Sequence, residues 1–221
     1  MDKIPKTVDL FDISHTLAKP LFKGEEYPHA ILPKLSAYIV KLFERLGSSF
    51  MEIRDGVFVA KDAIISHGAT ILGPTVIGHG AEVRPGAYIR GSVIIGDGAV
   101  IGNSSEVKNS VIFDGAKLPH YNYAGDSVIG YMAHLGAGAI ASNLRLDKRS
   151  VRICCGDEIL DTGLSKLGAL LGDYCEVGCG SVLSPGAVIG RESIIYPLSS
   201  VRGVLPEGCV YDGGIREGGA R

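Results

Sequence analysis

Aliphatic residues recur along this chain at intervals of six. Val59, Ile65, Ile71, Ile77, Val83, Ile89, Ile95, Ile101 and Val107 follow one another without a slip. Four positions after each comes a small or β-branched residue: Ala63, Ala69, Thr75, Ala81, Ala87, Val93, Ala99, Ser105 and Val111. The phase then resets by two residues and resumes at Tyr123, Ile129 and Leu135. After an interruption it returns as Leu171, Val177, Leu183, Ile189, Ile195 and Val201. Such a period fits neither an amphipathic helix nor a plain alternating strand. It fits short strands joined by tight turns, each strand sending one aliphatic side chain inward. A small residue must take the corner, because a large one would collide with its neighbours near the axis. Three such strands make one coil of about eighteen residues, and coils stack their aliphatic ladders into a triangular prism. The predicted fold is an all-β solenoid, a parallel β-helix of hexapeptide repeats, over residues 51–210.

Two stretches depart from the repeat. Residues 1–50 are expected to form an N-terminal helical cap or arm. Within them Pro33 to Gly47 reads as one amphipathic helix with Gly47 as its stop signal. Its expected place is the open end of the prism, where strand edges would otherwise be bare. Residues 141–162 are polar and basic and are expected to protrude as a loop, and residues 211–221 read as a tail. Composition narrows the picture further. With 46% hydrophobic residues, 7% aromatics and no Trp, the core must be built from Val, Ile, Leu and Ala. The 31 Gly and 10 Pro exclude a helical bundle. A net charge of −2 gives no general surface for nucleic acid or an anionic membrane. No apolar run reaches membrane-span length and the first residues lack a signal-peptide core, so the expected location is cytoplasmic. Five cysteines at irregular spacing do not suggest a disulfide framework. Cys175 and Cys179 read as small core residues, and no metal is expected.

The densest set of chemically capable residues runs from Lys117 through Pro119, His120, Tyr121, Asn122 and Tyr123 to Asp126. Asn143, Arg145, Lys148, Arg149 and Arg152 follow. It begins where the repeat slips, and Asn143 falls roughly one coil beyond His120. His120, Tyr123 and Asn143 are thus expected to face a common groove beside the basic loop. A neutral imidazole is suited to taking a proton from an amine or hydroxyl near neutral pH. The alternative is that His120 only hydrogen-bonds at a slipped corner.

The segments IGNSSEVKNS (101–110), KLPHYNYAGDSVIG (117–130), LGAGAIASNLR (135–145) and SKLGALLGD (165–173) carry a resemblance. They are similar to the C-terminal acetyltransferase domain of sugar-1-phosphate nucleotidyltransferases. The family includes the bifunctional N-acetylglucosamine-1-phosphate uridyltransferase/glucosamine-1-phosphate acetyltransferase and its archaeal-type relatives. The likeness covers about Val83 to Pro206. It implies a left-handed coil, a homotrimer with sites between adjacent prisms, and acetyl-CoA as acyl donor. The implied acceptor is the amine of an amino-sugar phosphate or UDP-amino sugar. His120 falls on the family's general base, and Tyr123 and Asn143 on residues that hold the sugar phosphate and orient the base. Arg90 and Lys108 match basic contacts to phosphate or nucleotide, with Asn103 and Glu106 nearby. Arg149 and Arg152 stand where the family has lysines. Cys179 and Pro197 lie at the expected acetyl-CoA groove, where the bifunctional family has Ser and Ala, and Pro197 brings no amide donor. No Gly-rich nucleotidyltransferase loop precedes the repeat, so UDP-N-acetylglucosamine pyrophosphorylase activity is not expected. A second reading is a non-catalytic trimeric scaffold or sugar-nucleotide-binding module that works with a separate nucleotidyltransferase. A third, a carbonic anhydrase of the same prism, needs three His ligands. His67, His79, His120 and His134 lack the close pair that class requires.

Overall fold

The computed structural model describes residues 3–216 as a three-sided parallel β-helix with an N-terminal segment laid along one side. Face 1 begins with the strand Val57–Ala60, face 2 with Ile64–Ile65 and face 3 with Thr70–Ile71. From there strands stack in parallel, coil upon coil. On face 3 the column runs Thr70, Tyr88, Glu106, Tyr123, Ile140, Val182 and Ser200 in register. Inside the prism, the aliphatic ladder and the small corner residues form one continuous core, from Val57 and Ile71 through Ile101 and Leu135 to Leu205.

The repeat slips, but not where the spacing suggested. Val107 pairs with Ala124, and Ile95 with Ile112, so the chain loses one residue at the corner from face 3 to face 1. Asn109 is the single residue left at that corner, and Asp126 repeats the shortening one coil higher. Both have positive φ, 45° and 51°. The corner bearing His120 is in phase. The inward residue of the next strand is therefore Ala124, and Tyr123 points out of the prism.

The N-terminal segment is not an end cap. Phe58, Val76, Ile94, Val111, Val128, Leu170, Val188 and Val204 form the outward column of face 1, and all are apolar. Such a surface must be covered. A 3-10 turn at Pro28–Lys34 and a helix at Leu35–Phe43 contribute to that cover, with Leu10, Phe11, Phe22, Ile31, Leu35 and Ile39 buried beneath. Phe113 is fully buried, with ring centroids 5.2 Å from Phe11 and 5.8 Å from Phe22. Asp12 N–H donates to Asp173 Oδ2 at 2.7 Å, and Ile4 N–H to Glu158 Oε2 at 2.7 Å, which straps the segment along the prism.

The interruption also folds back rather than projecting freely. It leaves face 3 after Ser142 and returns at Ala169. Within it Arg152–Cys155 and Glu158–Asp161 form an antiparallel hairpin that buries Val151, Ile153 and Cys155 under the same cover. The strand Phe50–Arg54 pairs antiparallel with Val57–Ala60 and closes one sheet edge. Part of the expected tail does the same at the other end, where Ile215–Arg216 pairs with Val210–Tyr211. Residues 217–221 of that tail lie outside the described residues. Cys175 is buried in the core, but Cys179 is exposed at a corner and is no core residue. No helix among the described residues is long and apolar enough to cross a membrane.

Candidate functional site

Tyr123 begins the face 3 strand Tyr123–Gly125, and its ring lies across that face over Gly125. A Cβ at position 125 would overlap the phenol oxygen and sit 2.7 Å from both the ring carbon Cζ and Asn143 Nδ2. Glycine is thus what lets the phenol reach the far corner. There Asn143 Nδ2 donates to Tyr123 Oη at 3.0 Å and to Asp126 Oδ2 at 2.6 Å. Asp126, 5% exposed, also accepts from Asn109 Nδ2 at 2.8 Å and from Lys108 Nζ at 3.2 and 3.3 Å. Burial, and then the charges of Asp126 and Glu106, push the Tyr123 phenol above its ordinary pKa. It therefore stays protonated near neutral pH. Because its oxygen accepts from Asn143, its own O–H is left to donate elsewhere.

Two coils below Tyr123, Arg90 reaches up to Glu106 of the coil between, Nη1 donating to Oε1 at 2.7 Å, and its guanidinium lies 5.9 Å from the centroid of the Tyr88 ring. The bond to Glu106 holds the Arg90 pKa above its usual value. Arg90, Glu106, Lys108, Tyr123 and Asn143 therefore lie together along face 3.

His120 stands at the opposite margin, on the corner from face 2 to face 3. The width of the face, three residues or about 10 Å, lies between that corner and Asp126. It is exposed and ends the strand Lys117–His120, where it pairs with Asn103 of the coil below. What holds this corner is Asn122, 2% exposed at the inward small-residue position. Its Oδ1 accepts from His120 N–H at 3.0 Å and Ser105 Oγ at 3.4 Å. Its Nδ2 donates to the carbonyls of Gly136 at 2.8 Å and Ala139 at 3.3 Å. The Ser105 hydroxyl has one hydrogen and also lies 2.9 Å from the Leu118 carbonyl, so the bonds to His120 N–H and to the Gly136 and Ala139 carbonyls are what fix this amide and with it the His120 backbone. Asn103 donates from Nδ2 to the Pro85 carbonyl at 2.8 Å, a bond that ties its corner to the coil beneath.

The same edge climbs from His120 through Ala137 and Cys179 to Pro197, linked by the bonds Gly138 N–H to His120 O, Gly180 N–H to Ala137 O and Leu198 N–H to Cys179 O. At about 4.8 Å per coil, Cys179 lies two coils and Pro197 three coils above His120. Among the described residues the amides of Ala137 and Cys179 make no protein hydrogen bond, whereas Pro197 has no amide to offer. The charges of Arg149 and Arg152 act elsewhere: Arg149 helps to hold the Asp147 carboxyl below its usual pKa, behind the larger effect of Arg145, and Arg152 acts on Asp161. Other histidines have acidic neighbours: His79 with Asp62 and His134 with Glu176, each at 2.9 Å, and His15 with Asp12 and Asp114 at 3.8 and 3.9 Å. Sequence reasoning left two residues unassigned, Asp126 and Gly125, and the G-D pair inside the quoted motif was the signal for both. A cavity of about 250 Å³ adjoins the far side of Asp126, lined by Leu32, Asn109, Leu164 and Lys166 among others. A larger hollow of about 780 Å³, lined by residues that include Phe43, Arg54, Phe58 and Leu72, lies at the first coil and contains none of these groups.

Comparison with known proteins points to the same stretch of chain. Residues 71–154 match a family model described as GMPPB C-terminal domain. The bifunctional sugar-1-phosphate nucleotidylyltransferase/acetyltransferase of Sulfurisphaera tokodaii is 40% identical over 86 residues, 39% of this chain and 21% of that protein. The bifunctional protein GlmU of Methanococcus maripaludis is 37% identical over 84 residues, 38% of this chain and 20% of that protein. The matched stretch thus spans about a fifth of the length of these relatives. Among solved structures, the acetyltransferase domain of PglB from Neisseria gonorrhoeae in complex with acetyl coenzyme A aligns over 87% of this chain and 78% of that one. The identity is 12% and the TM-score 0.39. With residues 71–154 as the part the family model matches, the chain is thus similar to the C-terminal hexapeptide-repeat domain of the sugar-1-phosphate nucleotidyltransferases, the resemblance its motifs carried.

Proposed function

We propose that this chain is an acetyltransferase that moves an acetyl group from acetyl-CoA to the amine of an amino-sugar phosphate or UDP-amino sugar, acting as a cytoplasmic homotrimer. The observation that carries the reading is the row of Tyr123, Asn143 and Lys108 around buried Asp126, facing His120 across one sheet face. The names of the relatives matched over this stretch support it. In this scheme the His120 imidazole takes a proton from the acceptor amine as the amine nitrogen attacks the thioester carbonyl carbon. The C–N bond forms, the C–S bond breaks, and the CoA sulfur leaves and is protonated. The Tyr123 O–H and the Lys108 ammonium are the donors for phosphate or hydroxyl oxygens, with Arg90 beside them. CoA would run along the edge above His120, where the unpaired amides of Ala137 and Cys179 offer donors. Exposed Tyr88, Ile140 and Val182 on face 3 support a neighbouring prism packed against this side. Arg149 and Arg152 remain candidate contacts to the acceptor from that neighbour's direction. Nucleotidyltransferase chemistry is not part of this proposal.

Pro197 favours a second reading, a trimeric scaffold or sugar-nucleotide-binding module paired with a separate nucleotidyltransferase, because it breaks the run of free amides. One experiment separates the two. Purified protein given acetyl-CoA with glucosamine 1-phosphate or galactosamine 1-phosphate should release free thiol, and His120→Ala should abolish release while the mass stays trimeric. If no amino-sugar phosphate elicits turnover and calorimetry finds no CoA binding, the scaffold reading replaces the enzyme.

A further inference from the structure

We infer that Asp126 is the positioning residue that sets the hydrogen-bond polarity of this site, an inference that rests on the acetyltransferase reading above. A carboxylate can only accept hydrogen bonds. Asn143 must therefore turn its amide nitrogen toward Asp126, and the 2.6 Å bond from Nδ2 to Oδ2 has that sense. The second Nδ2 hydrogen goes to Tyr123 Oη at 3.0 Å. Both amide hydrogens are then committed, and Asn143 Oδ1 takes no bond from the described residues. It faces away as an acceptor. The Tyr123 oxygen, having accepted, must offer its hydrogen outward. The other carboxylate oxygen and the same Oδ2 draw in Lys108 Nζ, with Asn109 Nδ2 on Oδ1.

One buried carboxylate thus specifies three outward groups: an acceptor at Asn143, a donor at Tyr123 and a located cation at Lys108. An acceptor sugar presents the matching set. Its amine or hydroxyl hydrogens meet Asn143 Oδ1, and its phosphate or ring-substituent oxygens meet Tyr123 and Lys108. The corner itself does not ask for this residue. Its φ of 51° is met by glycine, asparagine or aspartate, and the equivalent position one coil below is Asn109, so the turn does not require a carboxylate. An asparagine at 126 would fit the turn but would present an amide that leaves Asn143 free to rotate.

The test compares Asp126→Asn with the parent protein by thiol release from acetyl-CoA and glucosamine 1-phosphate. Misorientation on the scale of one side-chain rotation is expected to lower kcat/KM by about ten- to a hundred-fold. In the Asn143→Ala background the same change should cost less, since Asn143, and Tyr123 through it, are no longer positioned and only the Lys108 contact remains. An equal loss in both backgrounds would overturn the inference. Should Asp126→Asn fail to fold, nuclear magnetic resonance of the parent protein labelled at asparagine nitrogen decides instead. Both side-chain amide protons of Asn143 should be protected from exchange, and rapid exchange of either would overturn the assignment. That measurement needs no turnover. A parent protein that is inactive with every amino-sugar phosphate would remove the acetyltransferase reading, while the protection result would still stand or fall by itself.

Discussion

Gly125→Ala separates the geometry of the face 3 site from the stability of the prism. Gly125 does not have a positive φ, so alanine is compatible with its backbone. The prism interior is untouched because the added methyl points outward, under the Tyr123 ring. There it would overlap the phenol oxygen and stand 2.7 Å from Cζ and from Asn143 Nδ2, where ordinary carbon contacts begin near 3.5 Å. The ring must lift by about 1 Å, and the 3.0 Å bond from Asn143 stretches beyond hydrogen-bond length. Both displaced groups are the free ends of side chains. The stability cost is therefore that of one exchanged hydrogen bond, about 1 kcal/mol. Catalysis is more sensitive, because a misplacement of about 1 Å in a reacting geometry can cost about a hundred-fold. The expected result is a thermal midpoint within a few degrees of the parent (about 1 kcal/mol) together with a loss of thiol release approaching two orders of magnitude. In a Tyr123→Ala background the added methyl meets only Asn143 Nδ2, so Gly125→Ala should then cost less than it does in the parent. Parent-like activity in Gly125→Ala, or a large drop in thermal midpoint without a specific activity loss, would refute this account of why glycine occupies the position.

Two further outcomes follow from the packing of face 1. Phe113→Ala empties a fully buried ring site between Phe11 and Phe22, and should cost about 3–5 kcal/mol in chemical denaturation. It should also expose residues 3–50 to limited proteolysis before the repeats. His29 is buried with Nδ1 unpartnered among the described residues, and burial lowers its pKa below the ordinary 6.5. The unfolded chain therefore binds the proton more readily, so the stability contribution is full above pH 6.5 and lost as pH falls below it. Thermal melts between pH 7 and pH 5 should fall less steeply in His29→Leu than in the parent, and parallel slopes would count against that assignment.

The solenoid was legible because its period is enforced by sterics at every coil, and nine successive aliphatic residues leave no other reading. The position of its slips was not. Spacing alone cannot tell one two-residue reset from two single-residue shortenings at Asn109 and Asp126, because both restore the same phase by Ile129. That ambiguity decides which way Tyr123 points, and so hid the cluster it joins. The cover on face 1 had a sequence signal of its own. Val93-Ile94-Ile95, Val111-Ile112-Phe113 and Ala187-Val188-Ile189 are apolar on both sides of the strand, the mark of a sheet buried on both faces. Asp126 could not be picked out by residue type, since its role depends on three donors brought to one corner by separate coils.

The strap formed by the N-terminal segment changes how the repeat array holds together in time. A bare solenoid behaves as a chain of nearest-neighbour units, free to fray from either end and to nucleate anywhere. Here the amide of Asp12 is bonded to the side chain of Asp173, and that of Ile4 to Glu158, across sequence separations of 161 and 154 residues. Residues 3–50 precede those coils in the chain and cannot complete their contacts until the later coils have been synthesised. Once they have, distant coils can no longer melt independently. Unfolding of this protein is thereby converted from gradual fraying into a single cooperative event, with residues 3–50 locking only after the coils they strap.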